Sequence, residues 1–260
     1  MTDTETPVLR RLYPGSRLES TFAWPWEPLD ALESSFNVQE YLQQLIRSDK
    51  SNVTGLVDLP EGVDKEVWQY EHLRQVCLEL SLLVVALESE CTKENCPEMK
   101  ADGWLYLCAA HPSTQSCPAI DYIIHTLDGA TLLLNNSKYF PSRISVPELS
   151  LKHFQSIARR LYRIFAHAYY HHREIYETFE NETSLYARFL LLSQVYELIP
   201  ASLVSIPDST SKTTTDEQDS MSEGTKDSPL SRSAILVNKE RSNDEVDKDS
   251  SEHEGQQIHG

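Results

Sequence analysis

Residues 158–172 read ARRLYRIFAHAYYHH and place an apolar stripe, three arginines and three histidines on one predicted helix. At about 100° per residue, a set of apolar side chains falls within roughly 60° of Leu161. The set is Phe154, Ile157, Ala158, Ile164, Phe165 and Ala168. This periodicity predicts a long helix over 150–180 with one face in a hydrophobic core.

Three arginines lie on the opposite side of the same helix. Arg159, Arg160 and Arg163 fall within an arc of about 100°, and no carboxylate occurs between Leu149 and Tyr170. A charged, solvated face is the ordinary explanation of such a pattern. Guanidinium groups at this spacing can also hold a phosphate through forked, charge-assisted hydrogen bonds. The spacing alone leaves both interpretations open.

The histidines of this helix also have two interpretations. His172 falls inside the apolar stripe, where a buried, hydrogen-bonded imidazole is the usual finding. Because His167 and His171 lie close by in the sequence, metal ligation is the alternative. Spacing favours His167 with His171, which face the same way at i and i+4. On a straight helix His167 and His172 diverge by about 140°, so that pair needs a metal lying between the helix and an approaching loop.

Thiols supply the other half of a possible metal site. Cys91 and Cys96 are separated by four residues in a polar loop predicted over 91–102. Two thiolates and two imidazoles make a tetrahedral zinc site, and four protein ligands make it a structural one. The spacing is a weak signal, and Cys108 and Cys117 are competing thiols. The chain has five cysteines and no apolar segment in its first residues, so we expect no secretory signal and no disulfide framework.

The rest of the chain predicts further helices around the first. Apolar spacing indicates helices over 36–48, 64–90, 118–134 and 184–199, and Trp104–Ala110 reads as half of a small β-hairpin. The sum is an all-α bundle with little sheet. Residues 1–35, rich in proline and aromatics, predict an extended arm, and 36–206 a helical domain. All 23 aromatic residues precede residue 208, so 207–260 predicts a disordered acidic tail.

Composition excludes several functions. The formal net charge is −17, of which residues 208–260 contribute −7 from 6 basic and 13 acidic residues. An acidic chain without a basic stretch is a poor candidate for nucleic-acid binding. Its 8 glycines form no GxGxxG, GxxxxGK[ST] or GxSxG, the usual nucleotide-binding and hydrolase signatures. No apolar run is long enough to span a bilayer, so we expect a cytoplasmic protein whose membrane contacts are indirect.

Several separate motifs resemble the Mob family of kinase-adaptor proteins. The histidine helix, 158–172, and the cysteine pair with Pro97 resemble the family as a whole. Other motifs resemble its phocein branch. They are 68–75 (WQYEHLRQ), 108–111 (CAAH), 117–122 (CPAIDY), 125–130 (HTLDGA) and 138–143 (KYFPSR). The similarity runs from about residue 8 to residue 206, and the tail beyond Pro207 shares no motif with the family.

The resemblance implies a Mob/phocein-type fold around a four-helix bundle, with one structural zinc ion. It implies Cys91, Cys96, His167 and His172 as the zinc ligands, which overrules the i, i+4 histidine pair. It also implies that Arg159, Arg160 and Arg163 bind phosphopeptides from Ste20-type kinases.

The resemblance to the phocein branch also implies binding partners. Phocein-like proteins resemble subunits of STRIPAK-like assemblies, in which striatin-type scaffolds join protein phosphatase 2A to Ste20-type kinases, with links to vesicle traffic and the Golgi. A direct co-activator of NDR/LATS kinases is the alternative. It is disfavoured because Val63 and Val67 stand where such co-activators carry acidic residues, beside the retained Trp68. A metal-dependent hydrolase would need an open coordination position that four protein ligands do not leave.

Overall fold

A computed structural model describes residues 14, 15, 17 and 26–207. The described part contains seven α-helices and one two-stranded hairpin. The helices are α1 (Asn37–Ser48), α2 (Val53–Val57), α3 (Lys65–Leu87), α4 (Ala119–Leu134), α5 (Lys152–His171), α6 (Arg173–Thr183) and α7 (Leu185–Val195). The strands are β1 (Lys100–Ala101) and β2 (Trp104–Leu105). The predicted all-α class is therefore confirmed.

Helix α3 is the axis of the bundle. It begins after Asp64, whose carboxylate accepts hydrogen bonds from the backbone N–H groups of Glu66 and Val67, as an N-cap residue should. Helices α1, α4, α5, α6 and α7 all pack against it. Trp68 is fully buried, and its indole N–H donates to the Val57 carbonyl at 3.1 Å. This bond fixes α2 against the first turns of α3.

The core lies mainly between α3, α4, α5 and α7. Leu161 and Phe165 from the predicted apolar stripe of α5 are fully buried, as are Leu80 and Leu83 of α3. The ring of Phe165 lies 5.2 Å from that of Phe189 on α7. The apolar periodicity around Leu161 therefore identifies the core face correctly.

The hairpin is shorter than the sequence suggests. Strands β1 and β2 are antiparallel, with Ala101 opposite Trp104. Asp102 and Gly103 connect them with φ values of 49° and 76°, the left-handed conformation that Asp-Gly turns adopt in tight hairpins. Beyond Leu105 only an isolated antiparallel bridge, Cys108 to Gln115, continues the pairing. The predicted β-run over Trp104–Ala110 is thus mostly a loop.

The predicted single helix over 150–180 is wrong. Helix α5 ends at His171, and α6 begins at Arg173. His172 lies between them with φ −137° and ψ 54°. Its N–H still donates to the Ala168 carbonyl at 2.8 Å, and its carbonyl accepts from Tyr176 at 3.0 Å. Both helices therefore keep their terminal hydrogen bonds although the chain changes direction.

The two ends of the described region pack on the helices. Trp26 lies edge-on to Tyr41 of α1 at 5.6 Å, and the backbone of Glu27 bonds to the Gln44 side chain. The Tyr162 hydroxyl of α5 accepts hydrogen bonds from the N–H groups of Ser205 and Ile206.

Phe22 and Trp24 of the predicted arm lie outside the described residues, as does the predicted tail after residue 207. In the described part, no helix combines the length and apolarity required to cross a bilayer.

Candidate metal centre and arginine cavity

The first cysteine–histidine group comprises Cys91, Cys96, His167 and His172. Cys91 and Cys96 lie in the loop after α3, and both histidines lie at the carboxyl end of α5. One potential ligand atom from each residue lies within 4.8 Å of all the others. The structure therefore brings together the four residues that the family resemblance implies as ligands.

The group consists of two thiol–imidazole pairs. The Cys91 Sγ lies 3.4 Å from the Nε2 of His167, and the Cys96 Sγ lies 3.4 Å from the Nε2 of His172. In a tetrahedral zinc site the ion lies about 2.3 Å from a sulfur ligand and about 2.1 Å from a nitrogen ligand. Two such ligand atoms then lie at about the sulfur–nitrogen separation seen here. All four side chains are buried.

The break at His172 resolves the angular problem of the histidine pair. On a straight helix the two rings would point about 140° apart. Because His172 leaves the helical path, the ring centroids of His167 and His172 lie only 5.3 Å apart. His171 stacks on His167 at 4.8 Å but is exposed, and it is not part of the group. The i, i+4 pair favoured by spacing is therefore not the pair that faces the thiols.

Each imidazole is oriented by a second partner on its other nitrogen. The Lys100 carbonyl of β1 lies 2.7 Å from the Nδ1 of His167 and can accept its proton. The Glu90 carboxylate lies 3.6 Å from the Nδ1 of His172. The hydrogen bond to Lys100 fixes the tautomer of His167 and leaves its Nε2 free to bind a metal. Sequence reasoning missed both residues. A backbone carbonyl leaves no residue-type signal, and the approach of Glu90 to His172 depends on packing.

Burial sets the protonation of Cys91 and His167 in this group. Burial, together with the neighbouring Cys96, raises the pKa of Cys91 to about 12. Burial also lowers the pKa of His167 to about 4. Without a cation both residues are therefore neutral at pH 7. A divalent cation would displace the thiol protons and form a neutral complex with two thiolates and two imidazoles. The donor set thus fits a zinc-type ion.

Two of the three predicted arginines line a common cavity. Arg160 and Arg163 border a cavity of about 210 Å³, together with Leu107, Cys108, Ala109, Ala110, Tyr122, His125, Thr126 and Gly129. Among these described lining residues none is acidic. Arg159 is half-buried on the same helix and does not line the cavity. The arginines are half-buried, so the simple interpretation as a solvated face is incomplete.

Aromatic residues position Arg163. Its Nη1 donates to the Tyr122 hydroxyl at 2.8 Å. Its guanidinium lies 4.9 Å from the centroid of the Tyr106 ring, in a cation–π arrangement. Residue spacing does not pair either tyrosine with Arg163, because their approach to α5 depends on how α4 and the hairpin pack. The guanidinium is held in place before any ligand arrives.

The fold and the first cysteine–histidine group define an all-α protein in which a loop and a distant helix meet at two thiols and two imidazoles. The chain belongs to the Mob1/phocein family, whose model matches residues 44–207.

Known relatives agree with the family model. The chain is 49% identical over 208 residues to "MOB kinase activator-like 4" of Drosophila melanogaster, covering 80% of this chain and 93% of that protein. It is 43% identical over 205 residues to "MOB-like protein phocein" of Caenorhabditis elegans, covering 78% and 92%. A more distant relative is "Maintenance of ploidy protein mob1" of Schizosaccharomyces pombe, 29% identical over 59% of this chain and 75% of that protein.

Proposed function

We propose that this protein is a non-catalytic adaptor that binds phosphorylated Ste20-type kinases and a striatin-type scaffold of a protein phosphatase 2A assembly. Its role in such a STRIPAK-like complex is in signalling and vesicle traffic. It acts in the cytoplasm and meets Golgi or other membranes through its partners. The family membership and the phocein-like relatives support this proposal.

The arginine cavity is the observation that carries the kinase-binding part. A phosphate needs fixed cationic donors and no competing carboxylate. Arg160 and Arg163 border a cavity with no acidic residue among its described lining, and Tyr122 and Tyr106 hold Arg163 in place. Arg159 lies one helical position before Arg160 and adds positive charge to the same side of α5.

The first cysteine–histidine group holds one structural zinc ion in this proposal. Cys91, Cys96, His167 and His172 supply four ligands, which complete a tetrahedral site. The ion joins the loop after α3 to the end of α5, and its contribution is to folding. The arginine cavity is built on the same helix, so the ion also helps to position the arginines.

An exposed apolar stripe supports the scaffold-binding part. Leu78, Leu82 and Val85 on α3 are 60%, 60% and 69% exposed, and their spacing places them on one face of the helix. Leu78 also borders a groove of about 510 Å³ between α1, α3 and α4. A contiguous apolar surface of this kind is typical of a protein–protein contact. We assign this surface to the striatin-type scaffold.

Direct co-activation of NDR/LATS kinases is the less favoured function. Val67 is 2% exposed and Val63 is half-buried. Neither valine can offer the negative charge that basic kinase segments would pair with. These two positions therefore lack the acidic side chains that the family resemblance associates with such co-activators.

Calorimetry with a phosphothreonine peptide tests the kinase-binding part. Replacing Arg160 and Arg163 by alanine should weaken binding by at least about 100-fold, since each hydrogen bond to a charged group contributes about 1.5–3 kcal/mol. The unphosphorylated peptide should bind no variant measurably. Arg173→Ala is the matched control, because Arg173 is exposed and paired with Glu177. Unchanged affinity in the double variant would refute the cavity as the binding site.

Scaffold binding is tested separately with Leu82→Asp. We expect this variant to lose binding to a purified striatin-type scaffold in a pull-down, while its thermal midpoint stays within about 2 °C of the wild type, as for other exposed substitutions. Leu203→Asp is the control, since Leu203 is also exposed, at 46%, but lies outside the stripe. Equal loss of binding in both variants would show that the stripe is not the specific contact.

A further inference from the structure

A second cysteine–histidine group lies apart from the first. It consists of Cys108, His111, Cys117 and His125, one ligand atom of each lying within 4.8 Å of the others. In the part of the chain that the structure describes, these are the two groups of this composition. They share no residue. As possible metal ligands, Cys108 and Cys117 enter the sequence analysis as competing thiols for the first group.

The local fold explains how the four side chains meet. Cys108 and Gln115 exchange both backbone hydrogen bonds, at 2.7 and 3.2 Å, which closes residues 109–114 into a loop. His111 lies in this loop, and Cys117 lies two residues after Gln115. Pro118 then starts α4, which carries His125 in its second turn. A closed loop and a helix therefore approach each other at this point.

The contacts repeat the pairing seen in the first group. The Nε2 of His111 lies 3.0 Å from the Sγ of Cys117, and the Nδ1 of His125 lies 3.5 Å from the Sγ of Cys108. The two imidazole rings meet edge to face at 5.0 Å. Each thiol has one imidazole beside it, and the two pairs are adjacent. Ligand atoms at about these separations can converge on one tetrahedral zinc ion.

Most of this loop is exposed to solvent. Residues 109, 110 and 112–116 are exposed, whereas Cys108 and Cys117 are 3% and 5% exposed. An exposed loop without apolar anchors gains little from packing. Two buried thiols against two imidazoles are also a poor hydrophobic core, because imidazoles are polar. Coordination of one metal ion explains why these four side chains lie together, whereas hydrophobic packing does not.

We propose that Cys108, His111, Cys117 and His125 form a second structural zinc site, independent of the first. On binding, the two thiols release their protons to solvent, and the divalent ion gains two thiolates and two neutral imidazoles. No electron is transferred, so no oxidant or reductant is required. The site ties the loop over 109–114 to α4, and Cys108 and His125 also line the arginine cavity.

Metal stoichiometry of the full chain tests the proposal. The protein is loaded with excess zinc under reducing conditions, desalted and weighed intact by native mass spectrometry. We expect two zinc ions in the wild type and one in Cys117→Ser. Cys77→Ser is the matched control and should keep two, because Cys77 is buried yet belongs to neither group. One ion in the wild type, or two in Cys117→Ser, would overturn the proposal.

A second variant and a second measurement test the proposal in case Cys117→Ser misfolds. His111→Asn changes a residue of the exposed loop and leaves the first group intact, so it should fold and bind one ion. Cobalt titration gives an independent signal, since thiolate ligands produce a charge-transfer band. That band should grow up to two equivalents in the wild type and stop at one in His111→Asn. Saturation of both proteins at the same equivalent would contradict the second site.

Discussion

His72 shows how a single buried residue sets the acid stability of the fold. It is fully buried in α3, with its ring 4.6 Å from that of Trp68. Burial, reinforced by the positive charge of Arg188, lowers its pKa from 6.5 to about 3. Between these values the unfolded chain takes up a proton at His72 and the folded chain does not. Stability is therefore lost as the pH falls from 6.5 towards 3.

Replacing His72 tests this linkage. Lowering the pH from 7 to 5 reduces the unfolding free energy of the wild type through His72. In His72→Phe this reduction should be smaller by about 2 kcal/mol, since one pKa unit corresponds to about 1.4 kcal/mol. Urea unfolding at the two pH values measures the difference, and any metal loss in acid affects both proteins alike. Cys77→Ala, also buried in α3, should keep the wild-type pH dependence. Parallel curves for His72→Phe and the wild type would contradict the assignment.

Part of the candidate metal site can be located from the types of residue in the sequence alone. Residue-type reasoning found Cys91, Cys96 and the three histidines of 167–172, because thiols and clustered imidazoles are rare and chemically distinct. It could not choose between His171 and His172, because that choice depends on the backbone of His172 itself, and no proline or glycine signals a break there. Only the family resemblance indicated the pair that the structure brings to the thiols.

At the scale of elements, a buried ion pair joins α3 to α7. The Nη2 of Arg188 donates to the Glu79 carboxylate at 2.6 Å, and the side chains are 1% and 12% exposed. The Nε and Nη1 of Arg188 have no hydrogen-bond partner among the described residues. Because a buried charge without its partner is costly, α7 depends on Glu79 more than a surface ion pair would suggest.

Breaking this pair should destabilise the bundle. We expect Glu79→Leu to lower the unfolding free energy by about 3 kcal/mol, and Glu79→Leu with Arg188→Met to recover most of the loss, because no charge is then left unpaired. Denaturant unfolding of the single and double variants measures the coupling. The exposed pair of Arg173 and Glu177 is the control, and Glu177→Ala should cost less than about 1 kcal/mol. If the loss of unfolding free energy in the double variant equals the sum of the losses in Glu79→Leu and Arg188→Met, the two side chains do not form an energetic pair.

Helix starts were easier to predict from the sequence than helix ends. Asp64 marks the start of α3 because a capping carboxylate is a local signal. The predicted end of the last helix at residue 199 was too late, since α7 stops at Val195 and Glu197 adopts a φ of 54°. Nothing in the residue types near Val195 forces that end. Packing of the following segment decides it, and packing is not visible in periodicity.

At the scale of the whole molecule, the first cysteine–histidine group connects segments far apart in the chain. Each thiol lies 76 residues before its paired imidazole. Removing the ion should therefore weaken the packing of α5 against α3. The buried thiols and imidazoles would then face one another without a cation, which is a poor substitute for metal ligation.

Metal removal tests this dependence. Cys91→Ser should lose one ion by elemental analysis, and its thermal midpoint should fall by at least about 5 °C, where 1 kcal/mol corresponds to about 2–4 °C for a domain of this size. A chelator added to the wild type should lower the midpoint at least as far. Cys77→Ser should keep both the metal and most of the stability. Chelated protein that melts at the wild-type temperature would show that no ion supports the fold.

The long separation within the first group also affects the order of events during protein synthesis. Cys91 and Cys96 leave the ribosome well before His167 and His172, so a growing chain offers only half of that site until α5 is complete. The ligands of the second group, in contrast, all lie within 108–125. Metal capture there could precede the capture that closes the bundle. For the proposed zinc-bound protein, a shortage of zinc would thus affect newly made chains, whose long-range ligands have yet to meet, before it affects molecules already folded.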